Sequence, residues 1–425
     1  LGDPRSYKEA MRSKFVDQWR KAMKEEYDSL IRHRVFVLVP KPPDVNIVGT
    51  RWVFKTKRDE HGNIVRYRAR TVAQGYSQAY GIDFWEIYSP VPRWVTILLI
   101  LAIAAMLNYE VHNMDVETAF LNSDIKEVIY LKQPEGFEQA GPNGEELVCL
   151  LQKSIYGLKQ ASRNWNDTIN HWLTLDYAMT RSVADPCAYV KHVKEEKLIV
   201  TIWVDDLIIA GSSIRIIEDF KSAISKRFRM KDLGELKWIL GMEVTRDRSK
   251  REIKISQSTY IKQVLERFGM DSCKPVATPM EGILQRIDTK GGGTTDRDYM
   301  SIVGSLLYAA MVSRPDITYA VQVLGRHLQC SGPEHMTAAK RILRYLQGTK
   351  DVGLVFNGKN HCKRSLIGYS DSDWGSDTDT RRSTTGYVFT FHDCAISWGS
   401  KLQTTVALSS AEAEYMAMCA AVQEA

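Results

Sequence analysis

These 425 residues contain no Cys-x-x-C pair, no internal repeat and no low-complexity tract. The seven cysteines, at positions 149, 187, 273, 330, 362, 394 and 419, are scattered and odd in number, which argues against a disulfide framework or a zinc ribbon and for a reducing compartment. Long hydrophobic runs are missing as well. The longest, Trp94 to Leu107 (WVTILLILAIAAML), falls short of the roughly 20 residues that span a bilayer, so a buried core helix is expected and no membrane partner. No signal peptide precedes the fold, and a chain that opens on Leu1 reads as a piece of something longer. Neither sign of charge dominates: a net charge of +6 and a pI near 8.8 permit a nucleic-acid partner without demanding one.

What is present is the composition of a globular protein, 44% hydrophobic and 25% charged, which excludes wholesale disorder. The length exceeds what one core usually organises, so several subdomains are expected. From Tyr7 to Arg32, Phe15, Trp19, Met23, Tyr27 and Leu30 recur every three or four residues, the core-facing stripe of an amphipathic helix. Strand-like runs follow at Val35 to Val39, Arg51 to Arg58 and Ile64 to Ala73, the last two joined by a turn at Asp59-Glu60-His61-Gly62-Asn63. That hairpin sets Arg51, Lys55, Lys57, Arg58, Arg66, Arg68 and Arg70 against Asp59 and Glu60, interleaved with Trp52, Phe54 and Tyr67. Cations and aromatics so mixed suit phosphates and bases, and also describe a solvated surface hairpin.

The middle of the chain alternates helix and strand: Trp94 to Leu107, a strand into Met114-Asp115, Trp165 to Leu175, then Cys187 to Val193 and Leu198 to Ala210. This is the pattern of an α+β domain. Helices are expected at Ile214 to Phe228, Ser256 to Phe268, Met300 to Met311 and Pro333 to Gln347, with Gly291-Gly292-Gly293 as the best linker. From Leu366, strands at Leu366 to Tyr369, Gly386 to Phe391, Ala395 to Ser400 and Thr404 to Leu408, then a helix from Ser409, predict a smaller separate domain.

Chemistry is most legible in Leu198 to Gly211, LIVTIWVDDLIIAG, where two aspartates interrupt strongly β-forming apolar runs. Charge is costly there unless something compensates it. The economical reading is a β-hairpin whose tight turn presents Asp205 and Asp206 on a concave surface, where a divalent cation offsets their repulsion; a plain Asp-Asp turn is the alternative. Asp115, in VHNMDVETAFL, ends another apolar strand, so two strand ends can converge on one site. Oxygen ligands suit magnesium, and the dispersed His and Cys residues do not suggest zinc. A pair of magnesium ions so held would align a primer 3′-hydroxyl on a nucleotide α-phosphate and neutralise the leaving pyrophosphate.

In order along the chain, MDVETAFL, IYLKQPEGF, KSIYGLKQASRNW and WVDDLIIAG resemble the reverse transcriptase of copia-type LTR retrotransposons. The resemblance extends upstream through RWVFKTKRDEHGNIVRYRARTVAQGYSQAYGIDFWEIYSPV and downstream through RPDITYAV, AAKRILRYLQGT and GYSDSDW to VALSSAEAEY. It implies an α+β right-hand polymerase of fingers, palm and thumb, followed by a connection and a truncated RNase H-like α/β domain. The matching divisions are 1–230 for fingers and palm, 231–294 for a thumb-like region and linker, 295–362 for a helical connection and 363–425 for the partial RNase H-like domain. The implied activity is RNA-directed DNA synthesis by two-metal-ion catalysis with Mg2+, Mn2+ substituting. The implied partners are an RNA template, a DNA primer, the RNA–DNA hybrid, dNTPs and the protease, integrase and capsid segments of one polyprotein, within a cytoplasmic virus-like particle.

The resemblance also implies roles for individual residues. Asp115, Asp205 and Asp206 match the polymerase carboxylates, and Phe120 the aromatic that excludes a ribose 2′-hydroxyl. Gln160 matches a glutamine touching the incoming nucleotide, Arg68 or Arg70 the residues holding its triphosphate, and Trp203 stands where a tyrosine contacts the primer end. Asp371 and Glu414 match two of four RNase H metal ligands; the other two would lie beyond Ala425, so RNase H cleavage is expected to be absent. Glu412 reads as part of a capping box with Ser409, and Asp373 as a turn residue. Trp203, Ser162, Leu98 and Ser123 depart from the family pattern, which leaves a decayed, inactive copy that only binds nucleic acid as the alternative.

Overall fold

The computed structural model describes residues 2–58, 63–282, 296–359 and 366–425. The turn expected around Asp59 to Gly62, the linker at Gly291 to Gly293, and Cys362 lie outside these residues. The chain is a mixed α/β fold that clusters into two compact units, neither of them one continuous segment. The first comprises Leu1–Pro92, Asn113–Ile208 and Glu218–Leu233; the second comprises Arg93–His112, Ile209–Ile217 and Gly234–Ala425.

In the first unit the expected N-terminal helix is two helices, Tyr7–Arg12 and Val16–Arg32. Ser13 breaks it: its hydroxyl donates to the Ala10 carbonyl at 2.9 Å and accepts from the Phe15 N–H at 3.3 Å, the local competition with helix bonding that serine favours. Trp19, Met23 and Leu30 of the second helix are buried as the stripe predicts. Thr50–Arg58 and Ile64–Ala73 form a two-stranded antiparallel ribbon. A six-stranded sheet, three of whose strands (Met230–Glu235, Glu110–Val116 and Asp206–Gly211) have residues in both units, runs in the order Met230–Glu235, Glu110–Val116, Asp206–Gly211, Glu196–Trp203, Ala188–Val193, Thr180–Arg181. The helix expected at Trp165 starts earlier, at Ala161, and ends at His171 in a π-helical turn over Trp172–Asp176.

In the second unit Trp94–Leu107 is helical from end to end and buries Ile97, Leu98, Leu101 and Ala104. A helix apolar on every side must be enclosed by protein, and among the described residues no helix is long and apolar enough to cross a membrane. Helices Ser258–Arg267, Arg297–Val312, Thr318–Gly325 and Pro333–Gly348 share one core of Leu306, Ile317, Leu324, Ile342 and Leu343. Arg314 of the RPDITYAV motif is wholly buried; it pairs with Asp316 at 2.7 Å and donates to the Thr349 carbonyl at 2.9 Å, so this motif is architectural. Strands Leu366–Ser372, Thr384–Phe391 and Cys394–Leu402 make a three-stranded sheet with the helix Ser410–Glu424. Thr404 to Leu408 is not a strand; Val406 and Leu408 are exposed, and the segment serves as the approach to the helix cap.

Candidate active site

Strand pairing sorts the two chemistries of the basic ribbon onto opposite faces. Trp52 faces Thr71, Phe54 faces Ala69 and Thr56 faces Tyr67. Trp52, Phe54 and Ala69 pack with Trp19, Ala22 and Met23 of the Val16–Arg32 helix, and Trp19 meets Phe54 and Tyr67 edge-on at 5.2 and 4.8 Å. The alternate positions pair Lys55 with Arg68, Lys57 with Arg66 and Val53 with Arg70, so the cations share the other face. Of the aromatics expected to meet bases, Trp52 and Phe54 are therefore core, and Tyr67 packs against them while one side of it lines the cavity described below. They cover a helix stripe that would otherwise stay wet, and the other face of the ribbon leaves its cations for phosphates.

Lys57, Arg66, Arg68 and Arg70 line a cavity of about 350 Å³ that also receives Glu26, Asp115, Tyr156, Asp205, Arg229 and Lys231. Asp115 comes from the strand Glu110–Val116 and Asp205 from the two-residue turn before Asp206–Gly211, which neighbours it in the sheet. The Val116 N–H donates to the Asp205 carbonyl at 2.8 Å, so the ladder itself brings the two carboxylates to one place. Asp206 begins its strand half-buried and does not line the cavity. Burial raises the Asp115 carboxyl above its usual value and the Asp205 charge raises it further, while Lys231, Arg68 and Lys57 pull it down. Burial, then Asp205 and Asp115, push Asp206 up to about 6. Among the described residues no three His, Cys, Asp or Glu side chains are grouped closely enough to hold an ion, so this is a carboxylate pair with a third behind it. Desolvated, mutually repelling oxygen donors are the set that a hard divalent cation relieves, and Asp115 with Asp205 fit one on that ground.

The other expected nucleotide contacts separate. Arg68 is desolvated and crowded by Arg70, which lowers its pKa. The Arg70 guanidinium stacks 4.2 Å from the centre of the Tyr156 ring, and Phe120 meets the same ring edge-on at 4.9 Å. Phe120 sits in the turn Ala119–Asn122, packed beside Leu121 and Ile155, and does not itself line the cavity. Gln160 is buried: its amide nitrogen donates to the Asp83 carbonyl at 2.8 Å and its oxygen accepts from Gln78 at 3.0 Å. The side chain of the SIYGLKQ motif that reaches the cavity is thus Tyr156. It is held there by backbone. The Ala73 N–H donates to the Tyr156 carbonyl at 2.8 Å, and Gly157, at φ +91°, lies so close that a Cβ would stand 2.2 Å from the Ala73 oxygen. That requirement for glycine was the signal available in the sequence. Trp203 ends its strand half-buried and does not line the cavity.

Asp371, on the strand Leu366–Ser372, and Glu414, on the helix Ser410–Glu424, are both exposed. Asp371 accepts from the Ser372 N–H at 2.9 Å and, unlike Glu414, lines a groove of about 810 Å³. Asp373 accepts from the N–H groups of Ser376 at 3.3 Å and Thr384 at 2.9 Å, the bonding of a turn aspartate. Ser409 caps the last helix by accepting from the Glu412 N–H at 3.1 Å; Glu412 returns the bond to the Leu408 N–H at 2.6 Å, one residue beyond the usual box.

An acidic pair on adjacent strand ends, opposite a ribbon of arginines, can hold divalent ions beside a phosphate-bearing ligand. The chain belongs to the reverse transcriptase (RNA-dependent DNA polymerase) family, whose model matches residues 33–282. It is 45% identical over 424 residues to the retrovirus-related Pol polyprotein from transposon TNT 1-94 of Nicotiana tabacum, covering 98% of this chain and 31% of that one. It is 38% identical over 415 residues to the retrovirus-related Pol polyprotein from transposon RE2 of Arabidopsis thaliana, covering 97% and 28%. A putative transposon Ty5-1 protein of Saccharomyces cerevisiae matches at 34% over 313 residues, 73% of this chain and all of that one. Nearly the whole chain is thus similar to the Pol polyproteins of such transposons, and it spans under a third of the length of the plant polyproteins it matches.

Proposed function

We propose that this region extends a DNA primer on an RNA template with dNTPs. The observation that carries the reading is that Asp115 and Asp205, on neighbouring strand ends, share one cavity with Arg68 and Arg70. Asp115 and Asp205 hold the divalent ions, and Asp206 supports them by burial rather than by contact. When bound, two magnesium ions supply activation of the primer hydroxyl and neutralisation of the pyrophosphate. Arg68 and Arg70 hold the triphosphate, Arg70 stiffened by its stack on Tyr156. Tyr156, backed by Phe120, forms the wall beside the sugar, so Phe120 excludes a 2′-hydroxyl through Tyr156. Gln160 positions the 157–160 turn through the Gln78 and Asp83 bonds, and Trp203 borders the primer end.

In this reading residues 1–230 are fingers and palm, 231–294 a thumb-like region and linker, 295–362 a connection and 363–425 a partial RNase H-like domain. In that last part Asp371 and Glu414 stand as two of the metal-binding carboxylates of such a domain, and the reading assigns it no hydrolytic step. The template–primer hybrid and the protease, integrase and capsid segments are the partners, and a cytoplasmic virus-like particle the setting. The test is Mg2+-dependent extension of oligo(dT) on poly(rA), comparing the parent with Asp205→Asn, Asp206→Asn. Extension by the parent alone supports the reading. A folded parent that extends with neither Mg2+ nor Mn2+ is a decayed copy.

A further inference from the structure

We propose that Trp165 is a positioning residue that fixes the metal-binding Asp205, an inference that rests on the polymerase reading above. The turn carrying Asp205 contains a backbone conformation its sequence does not favour: Val204 has φ +56°. That is left-handed space, which a β-branched side chain avoids. Something outside the turn must hold it, and one group is placed to do so. The indole N–H of Trp165 donates to the Val204 carbonyl at 2.6 Å.

The donor is itself immobile. Trp165 lies on the helix Ala161–His171, is 1% exposed, and meets the ring of Phe228 edge-on at 5.3 Å. The Val204 carbonyl belongs to the peptide unit that leads into Asp205, so fixing it fixes the plane from which Asp205 departs. The peptide unit that follows Asp205 is held as well, because its carbonyl accepts from the Val116 N–H, one residue after Asp115. Asp205 is therefore clamped on both sides, by Trp165 before it and by the Asp115 strand after it. A carboxylate placed by its backbone in this way needs no side-chain partner, which leaves its oxygens for an ion.

The experiment pairs Trp165→Phe, which keeps a ring and loses the N–H, with Val204→Gly, which makes the left-handed turn free of strain. Trp165→Phe is expected to lower the saturating extension rate and weaken Mn2+ binding, read from the free-ion EPR signal, each about tenfold, with dNTP KM within about twofold. Adding Val204→Gly should restore both to within about threefold of the parent, because glycine adopts the turn without help. A packing role for Trp165 would not be rescued by glycine at 204, and unrescued loss overturns the proposal. So does parental Mn2+ affinity in Trp165→Phe. If Trp165→Phe does not fold, benzothienylalanine at 165, isosteric and without the N–H, takes its place with the same expectations. A parent that neither extends primer nor binds Mn2+ removes the polymerase reading and this inference together; a working parent matched by Trp165→Phe removes only this one.

Discussion

Two sets of carboxylates, one in each compact unit, resemble metal sites in sequence and differ in what surrounds them. Asp115 and Asp205 are brought together by a strand ladder, are half-buried, and share one cavity with Arg68, Arg70 and Lys231. Asp371 and Glu414 are exposed, and the neighbouring Asp373 is committed to bonding its own turn. The same residue type thus carries opposite costs. A desolvated pair repels itself until an ion arrives, whereas exposed carboxylates are already satisfied by water. A motif names both sets as candidates; burial and opposing cations are what distinguish them.

The largest effect that sharpens this contrast is Asp205→Asn or Asp115→Asn, expected to reduce primer extension about 10³-fold or more, on the order of 4 kcal/mol of barrier, while Asp371→Asn and Glu414→Gln leave it within about twofold. A comparable loss from Asp371→Asn would break the distinction. Next, Arg68→Ala should raise dNTP KM about tenfold with a smaller change in kcat, since it removes a phosphate contact rather than a ligand, and steady-state kinetics at two salt concentrations check it. Tyr156→Ala should increase ribonucleotide incorporation at least as much as Phe120→Val, because Tyr156 lies between Phe120 and the cavity. Discrimination unchanged in Tyr156→Ala but lost in Phe120→Val would return the wall to Phe120.

The aspartates were legible because charge inside β-forming apolar runs demands an explanation, and the Trp94–Leu107 helix because nothing polar interrupts it. The basic ribbon was half legible. Its cations were found, but the alternation Arg51-Trp52-Val53-Phe54-Lys55 already separates the faces, and reading that period would have sent Trp52 and Phe54 to the core. Gln160 and Tyr156 lie four residues apart around Gly157, and which of them meets a cavity depends on a backbone contact with Ala73 that no local pattern encodes. The break at Ser13 and the irregular Thr404 to Leu408 were missed for a related reason: periodicity and β-propensity persist through them while a serine bond or a helix approach overrides both.

The smallest expected effect follows from the burial of Asp206 and the charge of the acidic pair beside it. Without an ion, Asp206 titrates near 6 in the folded protein, against 3.8 for an unperturbed carboxyl. The folded state therefore binds the proton more tightly, so this group's stabilising contribution is complete below 3.8 and is lost as pH rises through about 6. Solvent screening at a half-buried site reduces this to on the order of 1 kcal/mol, a few degrees in Tm. In EDTA, Asp206→Asn should raise Tm at pH 7.5 by about that much and flatten the slope between pH 4.5 and 7. With Mn2+ the sign reverses, because the charge of an ion on Asp115 and Asp205 favours the ionised form of Asp206 behind them, and stabilisation by Mn2+ should fade as pH falls below about 6. Melting curves with and without EDTA across that range test both statements. Identical slopes in parent and Asp206→Asn would show that the third aspartate does not share the field of Asp115 and Asp205.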